Sequence, residues 1–219
     1  IGRVRKLAST KVNMILLYMD TVTDIIVVAL YKVADGIVNP LYLYKGVHPK
    51  ESSFRLLKDI ELAFRSTGIS KPDIIVTNIG PGSFTGTRIC VTTSRNLAQL
   101  WDIPVVGLDC LEIYSSYYFF KNSHPALVLI DGKQKKVYTA YYSSYGFQGS
   151  YDILPKEVDK YFVLSPDAKI YTDFHYERSN FDIKKDIPEP KFLLQTKIGT
   201  SCDYKNILPN YIRGTYADL

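Results

Sequence analysis

The chain has 219 residues, enough for one large domain or two small ones, and its 46% hydrophobic content is ordinary for a globular protein. No apolar run approaches the ~20 residues of a membrane-crossing helix, and Cys90, Cys110 and Cys202 form neither a Cys-x-x-Cys pair nor a disulfide framework, so a cytoplasmic protein without a metal site is expected. The formal charge of +5 invites a nucleic-acid reading, but Arg3, Arg5, Lys6 and Lys11 supply four of the 27 basic residues while residues 1–13 hold none of the 22 acidic ones; the remainder is +1 and no obvious phosphate-backbone binder by itself.

Residues 1–13 read as a disordered arm or a remnant added in expression, because Met14 opens a clean strand pattern. Apolar runs at 14–19 and 25–31, and a looser one at 38–45, predict three strands joined by turns at Asp20–Asp24 and Ala34–Gly36. The period then changes. Over 50–66, Leu56, Leu57, Ile60, Ala63 and Phe64 share one helical face, while Phe54 and Leu62 fall outside it and are either covered by a partner or simply exposed. A strand at 73–79, a helix from about 85 to 101, a strand at 104–108 and a short helix at about 109–120 follow, the order of a mixed sheet with crossover helices. Asn122–Pro125 marks a boundary, dividing the chain into 14–121 and 122–219. The second part starts as the first does: 126–131 is apolar and ends on aspartate, 136–143 is a strand, Gly146–Gly149 a turn and 150–153 a third strand. A short helix over 155–163, a strand at 168–172 and weak signals from Glu177 onward complete a smaller, degenerate echo of the first half.

The stretch GPGSFTGTR (80–88) sits between strand and helix. Such units point backbone N–H groups at anions, but no lysine follows Gly86 and the spacing is neither that of a P-loop nor of a dinucleotide fingerprint. Ser83 is not in G-x-S-x-G, and nothing in the sequence pairs His48, His124 or His175 with it. Tight packing leads: Pro81 stiffens the turn, Gly80 and Gly82 allow conformations other residues resist, Thr85 is the expected N-cap, and Gly86 bares the first turn. The helix then presents Thr87, Cys90, Val91, Ser94, Leu97, Ala98 and Trp101 along one side, small at its start and bulky at its end.

GPGSFTGTRICVTTSRNLA with IPVVGLDCLE after it resembles the TsaB (YeaZ) family, whose pattern is close to G-P-G-S-F-T-G-x-R followed by a helix and I-P-V-x-G-x-x-S-L-E. Gly80, Pro81, Gly82, Ser83, Phe84, Thr85, Gly86 and Arg88 carry the first part; Ile103, Pro104, Val105, Gly107, Leu111 and Glu112 carry the second. MILLYMDTVTD, LVLIDGKQKKVYTAYY and LPNYIR are weaker matches, and Lys136 and Cys110 depart from the usual glutamate and serine. The resemblance implies an α/β protein of the actin/Hsp70/sugar-kinase (ASKHA) fold, with two RNase-H-like subdomains of mixed sheets, the second smaller and degenerate. It implies a non-catalytic dimerisation subunit of the bacterial machinery that makes N6-threonylcarbamoyladenosine (t6A) at position 37 of ANN-decoding tRNAs. Such a subunit pairs with a catalytic TsaD-like paralogue that binds a metal through two histidines, is joined by a TsaE-like ATPase, and meets tRNA only through the complex.

The resemblance also assigns the first two long helices to the partner interface, with Phe54, Leu62, Cys90, Val91, Ser94, Leu97 and Trp101 as candidates; without a partner the same patch can make a homodimer. The residues agree in two respects. The histidines stand alone, so the relative's metal pair is missing. Asp20-Thr21-Val22-Thr23 lacks the glycine that an actin-like phosphate loop needs after its aspartate, so Asp20 and Thr21 mark a vestigial nucleotide site. No cofactor is expected on this chain alone, which leaves ATP or ADP for the interface of the complex. An ATP-dependent transferase or kinase of the same fold, with Asp20 as a base or magnesium-water anchor and Ser83 or Thr85 on phosphate, stays open as the alternative, and a peptidase ranks last.

Overall fold

The computed structural model describes residues 13–133, 135–160 and 166–212; the arm expected over 1–13 otherwise lies outside them. The first sheet holds β1 (Asn13–Asp20), β2 (Ile25–Ala34), β3 (Ile37–Val47), β4 (Ile74–Asn78) and β5 (Val105–Leu108) in the order β3-β2-β1-β4-β5. The second holds β6 (Ala126–Asp131), β7 (Val137–Ser143), β8 (Gly146–Ile153), β9 (Lys169–Thr172) and β10 (Phe181–Asp182) in the order β10-β9-β6-β7-β8. Read from its antiparallel end, each sheet runs third, second, first, fourth, fifth, with the first three strands antiparallel and the last two parallel to the first. The echo seen in the sequence is thus a repeated α/β architecture of two mixed sheets, the second ending in a strand of two residues.

Both faces of the first sheet are covered, which is why its central strands read as unbroken apolar runs. Side chains alternate along a strand. Leu17, Met19, Ile26 and Val28 face α1 (Ser52–Thr67) and α2 (Phe84–Trp101); Leu16, Tyr18, Val27 and Ala29 face the opposite way, into one core with α3 (Cys110–Asn122) and the second sheet. Helix α3 is buried along most of its length because sheets lie on both sides of it; Tyr118 stacks on Tyr171 of β9 at 3.7 Å between ring centroids. Asp109 caps α3, accepting from the N–H groups of Leu111 (2.8 Å) and Glu112 (3.0 Å). Its other oxygen accepts from Ser150 Oγ at 2.9 Å and Asn210 Nδ2 at 2.8 Å, tying β8 and the end of the chain to the same cap.

Several boundaries differ from the sequence expectation. Ser83, not Thr85, caps α2: its Oγ accepts from Gly86 N–H at 3.2 Å, and Thr85 lies inside the first turn. The expected turn at Gly146–Gly149 is the start of β8. The hairpin turns one step earlier, with Ser143 opposite Gly146, and Gly149 (φ +58°) sits where the ladder slips by a residue, so the glycines serve a strand end and an irregularity. The helix expected over 155–163 opens as a 3-10 turn at Pro155–Glu157, and its later residues fall outside the described ones from 161. Past Glu177, where the sequence is weak, the chain forms β10 and a short helix α4 (Lys191–Lys197), then crosses back to the first sheet. There Cys202 and Val105 exchange backbone bonds of 2.9 and 3.0 Å, and Asn210 N–H donates to Ile79 O at 2.7 Å.

Asp109→Ala would remove the cap of α3 and strand Ser150 and Asn210 together. It should cost about 3 kcal/mol of unfolding free energy in urea, with Asp109→Asn losing distinctly less.

Candidate functional site

Strand β4 delivers the glycine stretch beside the turn that follows β1. Gly80 adopts φ +99°, open to glycine, its N–H donates to Asn78 Oδ1 (2.9 Å), and its carbonyl accepts from Cys110 N–H (2.7 Å). Ser83 N–H donates to Val22 O at 2.6 Å, and Thr21 Oγ1 donates to Gly86 O at 2.8 Å. A Cβ on Gly82 would run into the Val22 carbonyl, and one on Gly86 into the Thr21 carbonyl. The two turns are therefore bonded backbone to backbone. Where the two turns touch, at Val22–Ser83 and Thr21–Gly86, the geometry is that of close packing.

Asp20 lies at the bottom of this contact, fully buried. One oxygen accepts from Val22 N–H (2.8 Å); the other accepts from Asn78 Nδ2 (2.8 Å) and Tyr18 Oη (3.1 Å). Burial raises its carboxyl above the ordinary 3.8, and the three hydrogen bonds pull the other way. Burial, with Asp20 nearby, also pushes the Cys90 thiol up to about 12 and the Cys110 thiol well above its usual range, so neither is a nucleophile at neutral pH. Thr21 is fully buried as well. Ser83 and His48 line one cleft of about 230 Å³ together with Lys50, Ser52 and Thr85. No nucleophile–base pair results, because Ser83 Oγ caps α2 while His48 Nε2 is bonded to Tyr44 Oη at 2.5 Å and its Nδ1 faces Glu51 at 3.6 Å.

The second candidate surface is the outer side of α1 and α2. Three residues expected there lie elsewhere. Cys90, Val91 and Ser94 are buried under α2, where Cys90 Sγ meets Thr77 Oγ1 (3.1 Å) and Ser94 Oγ contacts Met19 Sδ (3.2 Å). The small-residue side of α2 admits close approach, but to the chain's own β1 and β4. Leu97 and Trp101 are half-buried, and Trp101 meets Phe64 of α1 edge to face at 5.6 Å. Phe54 is 82% exposed, as its position off the core stripe suggests, and Leu62 is 50% exposed. At about 100° per residue, however, Leu62 lies almost opposite Phe64, on the flank of α1 away from α2.

Two residues were missed. Leu57, expected in the core stripe, is 59% exposed, and Leu100 on α2 is 74% exposed. Helical phase places Leu57 on the Phe64 side of α1 and Leu100 beside Leu97 on α2, while Phe54 faces outward, about 80° from both Phe64 and Leu62. A shallow apolar groove between the helices results, floored by half-buried Phe64, Leu97 and Trp101 with Leu57 and Leu100 exposed beside them. The signal for Leu57 was its place at the very edge of the stripe, where a neighbouring helix can leave a residue uncovered.

A family model described as TsaD, tRNA N6-adenosine threonylcarbamoyltransferase, matches residues 36–190. The chain belongs to this family. It is 33% identical over 130 residues to the tRNA threonylcarbamoyladenosine biosynthesis protein TsaB of Escherichia coli (strain K12), covering 58% of this chain and 54% of that protein. It is 31% identical over 130 residues to the protein of that name from Haemophilus influenzae, covering 58% and 52%. The chain thus spans about half the length of the curated relatives it matches. Two solved structures share its fold: YeaZ from Pseudomonas aeruginosa, with a TM-score of 0.69, 20% identity and coverage of 91% of this chain and 100% of that one, and a protein described as similar to the peptidase YeaZ from Pseudomonas aeruginosa, with a TM-score of 0.71, 22% identity and the same coverage. These relatives bear the names that the Gly80–Arg88 motif led to. Among the described residues no His, Cys, Asp or Glu residues are grouped to hold a metal, and no helix is long and apolar enough to cross a membrane.

Gly86→Ala forces apart two backbones and should cost about 3 kcal/mol in urea unfolding, whereas Gly68→Ala, strained at φ +70° but open in space, should cost about 1 kcal/mol. Asp20, Asp109 and Asp173 all have carboxyls raised by burial. Each makes the native state hold a proton that the unfolded chain releases, so its contribution is full below the ordinary 3.8 and is lost as pH climbs through the native value. Asp20→Asn should shrink the fall in unfolding free energy between about pH 4 and pH 7, measured against wild type in the same buffers.

Proposed function

We propose that this chain is a non-catalytic subunit of an assembly that makes threonylcarbamoyladenosine in tRNA, and that it docks a catalytic relative of its own fold through α1 and α2. The observation that carries this is the exposure of Leu57 and Leu100 beside Phe64, Leu97 and Trp101, with Phe54 outward on the same helix as Leu57: large apolar side chains left in water on two adjacent helices. Two helices offered by each of two like-folded chains make a four-helix contact, in which burial of these side chains supplies the affinity. The names of the relatives point to the same process, and the locked Asp20 suits a scaffold better than a phosphate-handling centre.

In this reading the catalytic work, the metal and any ATP or ADP belong to the paralogue or to the shared interface, and a TsaE-like ATPase joins the pair. Without the paralogue the groove can bring two copies together.

The test is co-elution on a sizing column with the TsaD-like paralogue, followed by reconstitution with tRNA and measurement of modified adenosine as each component is omitted. Leu57→Glu with Leu100→Glu should weaken pairing at least about 30-fold and leave the monomer folded, while Val91→Glu, inside the core, should unfold it. Undiminished pairing of the double variant, or adenosine modification by the chain alone, overturns the proposal.

A further inference from the structure

Packing of the glycine turn leaves two of its motif residues unexplained. Phe84 and Arg88 point outward, on the flank of α2 away from α1, and meet Tyr211 of the returning tail. The rings of Phe84 and Tyr211 stack at 5.5 Å between centroids. The Arg88 guanidinium lies 3.8 Å from the Phe84 centroid, and its Nε donates to Tyr211 Oη at 3.0 Å. Among the described residues no carboxylate pairs with Arg88, so a flat, pre-oriented guanidinium is presented without a counter-charge.

The same condition extends along the flank. Arg95 stands seven residues further on the same side of α2, about 10 Å away. Lys205 lies over the Tyr204 ring at 5.6 Å, in the 3-10 turn that packs against α2. Neither forms an ion pair among the described residues. The nearest acid in sequence, Asp203, is engaged by its own turn, accepting from Lys205 N–H at 2.8 Å.

We propose that this flank, Arg88, Arg95 and Lys205 with Phe84, Tyr204 and Tyr211, is a binding surface for single-stranded RNA such as a hairpin loop. Three cations without an ion pair among the described residues, spread over about two helical turns, match a row of phosphates, where a single carboxylate of a protein partner would engage only one. Beside them the exposed Phe84–Tyr211 pair offers an aromatic platform on which an unstacked base can lie whatever its sequence. The surface lies on the side of α2 away from the apolar groove, so RNA and a docked protein can be held together. The choice of RNA over another polyanion rests on the role proposed above; the surface itself does not.

The test is fluorescence anisotropy of the full chain with a labelled RNA hairpin of anticodon-stem-loop size, titrated at several salt concentrations. Wild type should bind with a clear salt dependence. Arg88→Gln with Arg95→Gln should weaken binding at least about tenfold at low salt and flatten the log–log salt slope by about 1.4. Tyr211→Leu should weaken binding with the slope unchanged. Leu57→Glu with Leu100→Glu, which tests the docking groove, should bind RNA as wild type does, so the two proposals fail separately. Circular dichroism checks that each variant is folded. Absence of binding by wild type, or equal binding by the arginine variant, would each overturn the proposal.

Discussion

The contact between two backbone segments, Thr21–Val22 after β1 and Gly82–Gly86 at the start of α2, sets the arrangement of the first half of the molecule. It is made of a Ser83 N–H, a Thr21 hydroxyl and two carbonyls, with no side-chain volume available at Gly82 or Gly86 to keep the chains apart. Because the turns touch, α2 lies close over β1 and β4, and the small side chains of Cys90 and Ser94 fill the interval. Because α2 lies so close, its remaining faces are turned outward, one toward α1 and the other toward the returning tail.

That closeness also determines what happens to Asp20. On an open turn its carboxylate would face solvent, where a phosphate or a hydrated cation could reach it. Here it is enclosed, with Val22, Asn78 and Tyr18 donating to it, and burial makes its charged form costly. A fold built from two like sheets thus keeps the aspartate at the end of its first strand while using it as an internal hydrogen-bond hub. The second half ends its own first strand in the same way, on Asp131, whose N–H donates to Asp173 Oδ1 at 2.9 Å.

The two halves are joined by more than their connection at the end of α3. Helix α3 is buried between both sheets, and the segment after β10 stitches them: Lys121 and Tyr117 bond Asp186 (2.6 and 3.0 Å), Lys45 bonds Glu189 (3.1 Å), and Tyr31 donates to Glu189 as well. The chain then runs on to the edge of β5 and the start of α2. Residues far apart in sequence, Asp109 with Asn210 and Arg88 with Tyr211, become neighbours only through this path.

The sequence by itself determined the strands and helices whose burial is periodic or complete: the runs at 14–19, 25–31 and 126–131, the long helices, and the glycine motif that names the family. Those signals are local, since a covered strand needs apolar residues in a row and a close turn needs glycine. What only the tertiary structure decided was which side of each helix finds a cover. Cys90, Val91 and Ser94 could be placed on one side of α2 from their spacing, but whether that side meets the chain's own sheet or a partner depends on where β1 and β4 lie. Leu57 sits at the margin of a stripe, and only the position of α2 leaves it in water. The tail from Cys202 to Tyr211 has no period to read, because its partners are backbone groups and single side chains about a hundred residues away or more, and burial against such distant groups leaves no repeating mark in a one-dimensional string.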